Sequence, residues 1–182
     1  MPLLNTITTP WAEALLQLSE ANGETEAVVD QARSLLALWN ESPDLREALA
    51  SPVLEVEAKK AAITKLFSEQ LSPSFLNLLK LLADRQRIGM LDAVLERLLA
   101  LHREQNGIAL ATVTSAEALS EEQLARITEQ VKSVAGTDKV EINSALDPAL
   151  IGGFVLKVGS KVIDASLSGQ VRRLGLALAK VS

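Results

Sequence analysis

Few residues in this chain have side chains suited to covalent or acid–base chemistry. The chain has no cysteine and one histidine, His102, so it lacks a thiol nucleophile and the usual ligand sets of zinc and iron–sulfur sites. Asp164 and Ser166 resemble an acid and a nucleophile, but no base lies near them in the sequence, and both types suit a helix N-cap. We interpret His102 as structural, and we expect no enzyme activity, no metal and no cofactor.

The stretch from Gly153 to Lys161 partly resembles a phosphate-binding loop. That motif needs four residues between its glycines and Lys before Ser or Thr, because the loop must lead directly into a helix N-terminus. Here five residues separate Gly153 from Gly159, and Ser160 precedes Lys161. We therefore interpret the stretch as two strands joined by a tight Gly159-Ser160 turn of the Gly-first type.

Charge and hydropathy limit the classes of partner. The net charge of −5 argues against binding a phosphate backbone, which depends on cationic neutralisation. No segment approaches the roughly 20 consecutive apolar residues that span a bilayer. The first residues, 1–9, lack the basic and apolar regions of a signal peptide. We expect no nucleic-acid partner and no direct insertion into a membrane.

A change in composition near Asn106-Gly107 predicts two domains, residues 1–105 and 106–182. The first part contains two of the nine glycines and five of the six prolines, with 10 basic and 15 acidic side chains. The second part contains the other seven glycines and equal numbers of basic and acidic side chains, eight of each. The first part therefore favours helices, and the second favours strands and turns.

Apolar residues in the first part follow helical spacing behind hydroxyl-proline pairs that suit helix starts. The four predicted starts are Thr9-Pro10, Ser42-Pro43, Ser51-Pro52 and Ser72-Pro73. The six predicted helices carry Trp11, Leu15 and Leu18; Val28, Ala32, Leu35 and Trp39; Leu45 and Leu49; Val56, Ile63 and Phe67; residues 74–83; and Ile88, Leu91, Leu95, Leu98 and His102. This pattern predicts an all-α six-helix bundle.

The fifth predicted helix is apolar on nearly every side, with only Asn77, Lys80 and Asp84 as a narrow polar stripe. A helix of this kind must be covered nearly all round. It is either the enclosed central helix of the bundle or one wall of a groove for a partner's amphipathic helix. Residues 84–87, which follow it, form a charged joint that we interpret as a solvated turn rather than a partner contact.

The second part predicts a small α+β domain. Residues 108–114 are short, apolar and β-branched, as in a strand, and Val140, Ile142 and Ser144 alternate as a second strand would. Ser120 and Gln123 form a capping box for a helix that ends near Gly136. The hairpin follows, and a last helix begins at Asp164 or Ser166. Its apolar face would comprise Leu167, Val171, Leu174, Leu178 and Val181.

The run from Ile151 to Ser166, continuing to Leu174, resembles the signature of the ATP synthase delta family, which includes the mitochondrial oligomycin-sensitivity-conferring protein. The signature residues are Gly152, Gly153, Gly159, Asp164, Ser166 and Leu174. Residues 9–15 resemble the start of that family, and residues 82–88 resemble its junction between the fifth and sixth helices.

This resemblance implies a non-catalytic stator subunit. Its six-helix bundle would hold the N-terminal helix of an alpha subunit between its first and fifth helices, and its C-terminal domain would hold the b subunits of the peripheral stalk. The rotor torque would then drive ATP synthesis. The implied alpha-subunit contacts are Trp11, Ala14, Leu15, Leu78 and Leu81. The chain would be attached through its partners to the cytoplasmic face of a bacterial plasma or thylakoid membrane, or to the stromal side in a plastid. The alternative is an unrelated two-domain helical adaptor.

Overall fold

The computed structural model describes the backbone of residues 2–172 and the side chains of residues 6–172. The chain divides into two compact units, an N-terminal unit that ends at His102 and a C-terminal unit that begins at Arg103. The N-terminal unit is helical, and the C-terminal unit contains a small mixed sheet.

The elements before residue 107 are helices α1 (Pro2–Asn22), α2 (Thr25–Glu41), α3 (Pro43–Ala50), α4 (Val56–Phe67), α5 (Pro73–Asp84), a 3-10 turn (Ile88–Met90) and α6 (Leu91–Asn106). Helices α1 and α4 both pack against α5. The core is mainly aliphatic, with Phe75, Leu79 and Leu95 at most 1% exposed. The apolar positions predicted for the second helix, Val28, Ala32, Leu35 and Trp39, are all buried.

The prediction that the first helix starts at Thr9-Pro10 is wrong. Helix α1 begins at Pro2 and continues through Pro10. Proline lacks an N–H and costs about 3 kcal/mol in a helix interior, so the local signal favours a boundary there. Pro10 and Thr6, one turn earlier, are exposed, while Thr8 and Ala12 are buried. Packing of the buried face therefore overrides the local stop signal.

The other three predicted starts have different outcomes. Ser51-Pro52 does not start a helix, because Ser51 is the C-cap of α3 and α4 begins after Glu55. Ser72-Pro73 is confirmed: the Phe75 N–H donates to Ser72 Oγ at 3.3 Å. Helix α3 begins at Pro43 as predicted, but the Ser42 side chain makes no capping hydrogen bond.

Replacing Ser72 by Ala is expected to lower the free energy of unfolding of the N-terminal unit by about 1 kcal/mol, because the Phe75 N–H loses its acceptor. Ser42→Ala is the matched control, since the Ser42 side chain caps nothing. We expect that control to change stability by no more than about 0.3 kcal/mol. Urea unfolding followed by the fluorescence of the buried Trp39 measures both. Equal losses in the two variants would show that the cap at α5 contributes nothing specific.

The elements of the C-terminal unit are β1 (Ala109–Ser115), α7 (Glu121–Ala135), β2 (Val140–Leu146), a 3-10 turn (Pro148–Leu150), β3 (Phe154–Val158), β4 (Lys161–Asp164) and helical residues 167–172. The strand order is β2-β1-β3-β4. Strand β1 runs parallel to β2 and antiparallel to β3, and β3 pairs with β4 as a hairpin. The core comprises Ala111, Val113, Leu156 and Val158 from the sheet, with Ile127 and Val131 from α7.

Two local predictions for this unit are confirmed. The Gln123 N–H donates to Ser120 Oγ, and the Ser120 N–H donates to Gln123 Oε1, which completes the capping box of α7. Helix α7 ends at Gly136 in the left-handed conformation. In the hairpin, Gly159 has φ +58°, and Ser160 is not among the residues with positive φ. That pattern is the Gly-first turn expected from the sequence.

The predicted start of the last helix at Asp164 is wrong, because Asp164 is the final residue of β4. Helical structure begins after Ser166, the other predicted start. The Gly169 N–H donates to Ser166 Oγ at 3.0 Å, so Ser166 acts as the N-cap. Leu174, Leu178 and Val181 lie outside the described residues.

Candidate functional site: an exposed apolar face on α1 and α5

The five residues predicted to contact a partner helix differ in exposure. Leu15 and Leu78 are 3% and 7% exposed and belong to the core of the N-terminal unit. Trp11 is half-buried against that core, Ala14 is exposed, and Leu81 is 44% exposed. Leu15 and Leu78 are therefore part of the core, whereas Trp11, Ala14 and Leu81 are accessible to a partner.

Helix α5 is covered on most of its surface, as its composition requires. Five of its residues are buried, namely Phe75, Leu78, Leu79, Leu82 and Ala83. Leu76 is half-buried, and Leu81 is the large apolar residue of this helix that remains exposed. The chain therefore does not enclose α5 completely, and Leu81 remains available to line a groove for a partner.

The structure adds two apolar residues that the sequence analysis did not assign to this face. Ile7 is 43% exposed and Leu18 is 47% exposed. Together with Trp11 and Ala14 they follow the spacing i, i+4, i+7 and i+11, which places all four on one side of α1. Ile7 was missed because the predicted helix began at Pro10. Leu18 was recognised as an apolar position of the first helix but was not assigned to a partner contact. We call Ile7, Trp11, Ala14 and Leu18 the α1 stripe.

The acidic side chains of α1 lie away from the α1 stripe, on another side of the helix. Helix α1 carries two carboxylates, Glu13 and Glu20, both exposed, and its sequence contains no basic residue. Because α1 packs against α5, the stripe and Leu81 belong to neighbouring helices of one unit. An apolar face of this kind suits the apolar side of an amphipathic partner helix.

The residues considered above for catalysis are His102, Asp164 and Ser166, and the contacts they make are structural. The His102 ring is 3% exposed, and its Nε2 atom lies 3.5 Å from Glu26 Oε1. Asp164 Oδ1 accepts hydrogen bonds from the Ser166 N–H and hydroxyl, and Ser166 Oγ in turn caps the following helix. Within residues 6–172 no group of three or more His, Cys, Asp or Glu side chains is arranged to hold a metal ion.

The Gly152-Gly153 pair joins the beginning of β3 to the end of β4. The Leu167 N–H donates to the Gly152 carbonyl, and the Ala165 N–H donates to the Phe154 carbonyl, both at 3.0 Å. Gly153 has φ +80°, and a Cβ atom there would overlap the Ala165 carbonyl. These signature residues therefore hold the C-terminal sheet and its following helix together.

None of the described helices has the length and apolar character needed to cross a bilayer. The N-terminal unit presents an exposed apolar face, and the charged Asp-x-Ser motif of the C-terminal unit is occupied in capping a helix. The exposed apolar face is typical of the class of proteins that act through contacts with other proteins.

Comparison with known proteins identifies the family. Residues 7–178 match the family model described as ATP synthase delta (OSCP) subunit. The chain is 71% identical to ATP synthase subunit delta of Prochlorococcus marinus (strain MIT 9303) over 182 residues, with 100% of both chains covered. It is 63% identical to ATP synthase subunit delta of Synechococcus sp. (strain RCC307) over 180 residues, with 99% of both covered. The chain belongs to the ATP synthase delta (OSCP) subunit family, which is a family of structural stator subunits rather than catalytic ones.

A solved structure shows the same fold. The chain is similar to one in the cryo-EM structure of the Toxoplasma gondii mitochondrial ATP synthase hexamer, with a TM-score of 0.74 and 19% identity. The match covers 94% of this chain and 97% of the other. Membership of the family excludes the alternative of an unrelated helical adaptor.

Proposed function

We propose that this chain connects the catalytic head of an F-type ATP synthase to its peripheral stalk. In this proposal residues 1–105 form a six-helix bundle that binds the head, and residues 106–182 form an α+β domain that binds the stalk. The connection resists rotor torque, so that rotation drives ATP synthesis. The proposed location is the cytoplasmic face of a bacterial plasma or thylakoid membrane, reached through the partner subunits.

The main support for the proposed contact with the head is the apolar face formed by the α1 stripe and Leu81. We assign it to the amphipathic N-terminal helix of an alpha subunit. Ile7, Leu18 and Leu81 are each nearly half exposed in the isolated chain. Covering what remains of each would contribute about 1 kcal/mol per residue, which is a suitable source of affinity for a subunit with no chemistry to perform.

For the stalk contact, the proposal relies on an apolar ridge in the C-terminal unit. Ile151, Leu167 and Val171 are 79%, 50% and 69% exposed. They are contiguous, because the Leu167 side chain lies against Gly152, next to Ile151, and Val171 is one helical turn from Leu167. A ridge of this kind suits the helical ends of the b-type subunits of the peripheral stalk.

Titration of the full chain with a synthetic N-terminal peptide of an alpha subunit tests the head contact. We expect saturable one-to-one binding with a negative heat-capacity change, because apolar surface is buried. Trp11 is half-buried on the face, while Trp39 is 2% exposed in the core. The fluorescence change should therefore persist in Trp39→Phe and disappear in Trp11→Phe. Absence of binding by the folded chain would overturn the assignment of this face.

A further inference from the structure

A second surface of the N-terminal unit lies on the other flank of α5, where it packs against α4. An open depression of about 630 Å³ is present there. It is lined by residues along α4, by the C-cap residue Ser68 and by Lys80 of α5. None of its lining residues belongs to the α1 stripe, and Leu81 is not among them. The depression is therefore separate from the face proposed to bind the head.

The charge of the depression is opposite to that of the surrounding sequence. Residues 1–105 carry 15 acidic and 10 basic side chains, yet the depression is lined by Lys60, Lys65 and Lys80, with Glu57 as its one acidic residue. The Lys60 ammonium lies 2.7 Å from Asp84 Oδ1 and 3.1 Å from Glu57 Oε1. Its pKa is raised by the hydrogen bond to Asp84 and then by that to Glu57, so Lys60 stays charged and is already paired.

The other two lysines are not neutralised in the same way. Within the described part of the chain, neither Lys65 nor Lys80 has a carboxylate oxygen within 4.0 Å of its ammonium. Lys80 is also half-buried as a whole residue. Two cationic groups without anionic partners therefore face one depression, and an acidic ligand would complete both pairs.

Three of the residues that line the depression have small side chains. Ala61, Thr64 and Ser68 are separated by three and four residues, which places them on one side of α4. The Thr64 hydroxyl already donates to the Lys60 carbonyl at 2.8 Å. Small side chains permit close approach of another helix, and the 12 residues of α4 provide a length of about 18 Å, enough for about three turns.

The backbone of the depression does not suit a phosphate. Phosphate sites use several convergent backbone N–H groups, usually at the beginning of a helix. The lining residues from Lys60 to Lys65 lie in the interior of α4, where the N–H groups belong to the helix itself. The lining extends along α4 from Glu57 to Ser68, and Lys65 and Lys80 belong to different helices. This arrangement favours a ligand that presents more than one carboxylate along a helix face.

We propose that the α4–α5 depression binds an acidic helical segment of a protein partner. The small residues of the segment pack on Ala61, Thr64 and Ser68, and its carboxylates pair with Lys65 on one side and Lys80 on the other. Helix α5 then serves two partners, an apolar helix on its α1 side and an acidic helix on its α4 side. The acidic helix extends the attachment of the subunit beyond the face proposed to bind the head.

The test uses the full chain and two synthetic alanine-rich helical peptides of about 18 residues, about 27 Å long, one with Glu along a single face and the other with Gln in its place. Calorimetry should show one-to-one binding of the Glu peptide and none of the Gln peptide. The double variant Lys65→Glu/Lys80→Glu should weaken binding at least about tenfold, or about 1.4 kcal/mol. Ala61→Phe, which places a large side chain in the depression, should also weaken binding of the Glu peptide.

The matched control is Lys139→Glu/Lys157→Glu, which changes the net charge equally at two exposed lysines of the C-terminal unit. We expect this control to bind the Glu peptide within about twofold of the unchanged chain. Equal weakening in both double variants would mean general charge attraction and would overturn the proposal. Failure of the Glu peptide to bind would also overturn it, as would its displacement by millimolar inorganic phosphate, since that result indicates a simple anion site.

Discussion

Replacing Leu81 by Asp is expected to weaken binding of an alpha-subunit N-terminal peptide about 100-fold, or about 3 kcal/mol. The leucine is 44% exposed, so the aspartate is solvated in the free chain and the fold is retained. In the complex the carboxylate would be covered by an apolar partner without a hydrogen-bond donor to receive it. Calorimetry with the full chain measures the affinity, and circular dichroism confirms that the helix content is unchanged.

The control for this variant is Leu66→Asp. Leu66 is a leucine of α4 that is 51% exposed, and it lines neither the proposed face nor the α4–α5 depression. The same change of charge and hydrophobicity there should leave the affinity within about twofold. If Leu81→Asp bound the peptide as tightly as Leu66→Asp, the partner helix would have to lie elsewhere on the unit.

The largest expected effect on stability comes from Gly153→Ala. Gly153 has φ +80°, which alone costs a residue with a side chain about 1 kcal/mol. The added Cβ would also overlap the Ala165 carbonyl and lie 3.0 Å from Ser166 Cα, and both are backbone atoms that have little freedom to move. We expect a total loss of about 3 to 4 kcal/mol in the C-terminal unit.

Gly136→Ala separates the two causes of that loss. Gly136 also has a positive φ, +71°, but no heavy atom would lie within 4 Å of its Cβ. Its expected cost is therefore only the conformational term of about 1 kcal/mol. Both tryptophans lie in the N-terminal unit, so hydrogen exchange of peptides covering β3 and β4 is the suitable measurement. Similar losses in the two variants would show that the close approach to Ala165 contributes nothing.

Local sequence signals predicted the C-terminal unit more accurately than the helix starts of the N-terminal unit. The capping box at Ser120 and the Gly159-Ser160 turn depend on atoms within a few residues, so their chemistry can be read directly from neighbours in the chain. A hydroxyl followed by proline is less decisive. It marks the start of α5 at Ser72, but it lies inside α1 at Thr9 and after the end of α3 at Ser51.

For a related reason, the sequence did not show how exposed each residue of the candidate site is. Helical spacing shows which residues share a face, but it does not show how far the neighbouring helices cover that face. Leu15 and Leu78, which were predicted to contact a partner, are buried in the core of the isolated chain, whereas Ile7 and Leu18 are exposed. The exposed fraction of each side chain depends on how α1 and α5 are oriented about their axes when they pack in the unit.

The sequence alone predicted the helical character of the first part and the mixed α+β character of the second. It also predicted that no catalytic set is present, and it contained the family signature. Each of these features depends on composition or short-range chemistry. The three-dimensional packing was needed to establish the continuation of α1 through Pro10 and the exposure of Ile7, Leu18 and Leu81. It was also needed to bring Lys65 and Lys80 to one depression, since they lie on different helices. These features depend on residues far apart in the chain, and the energy of burying their neighbours outweighs the local preference at any one position.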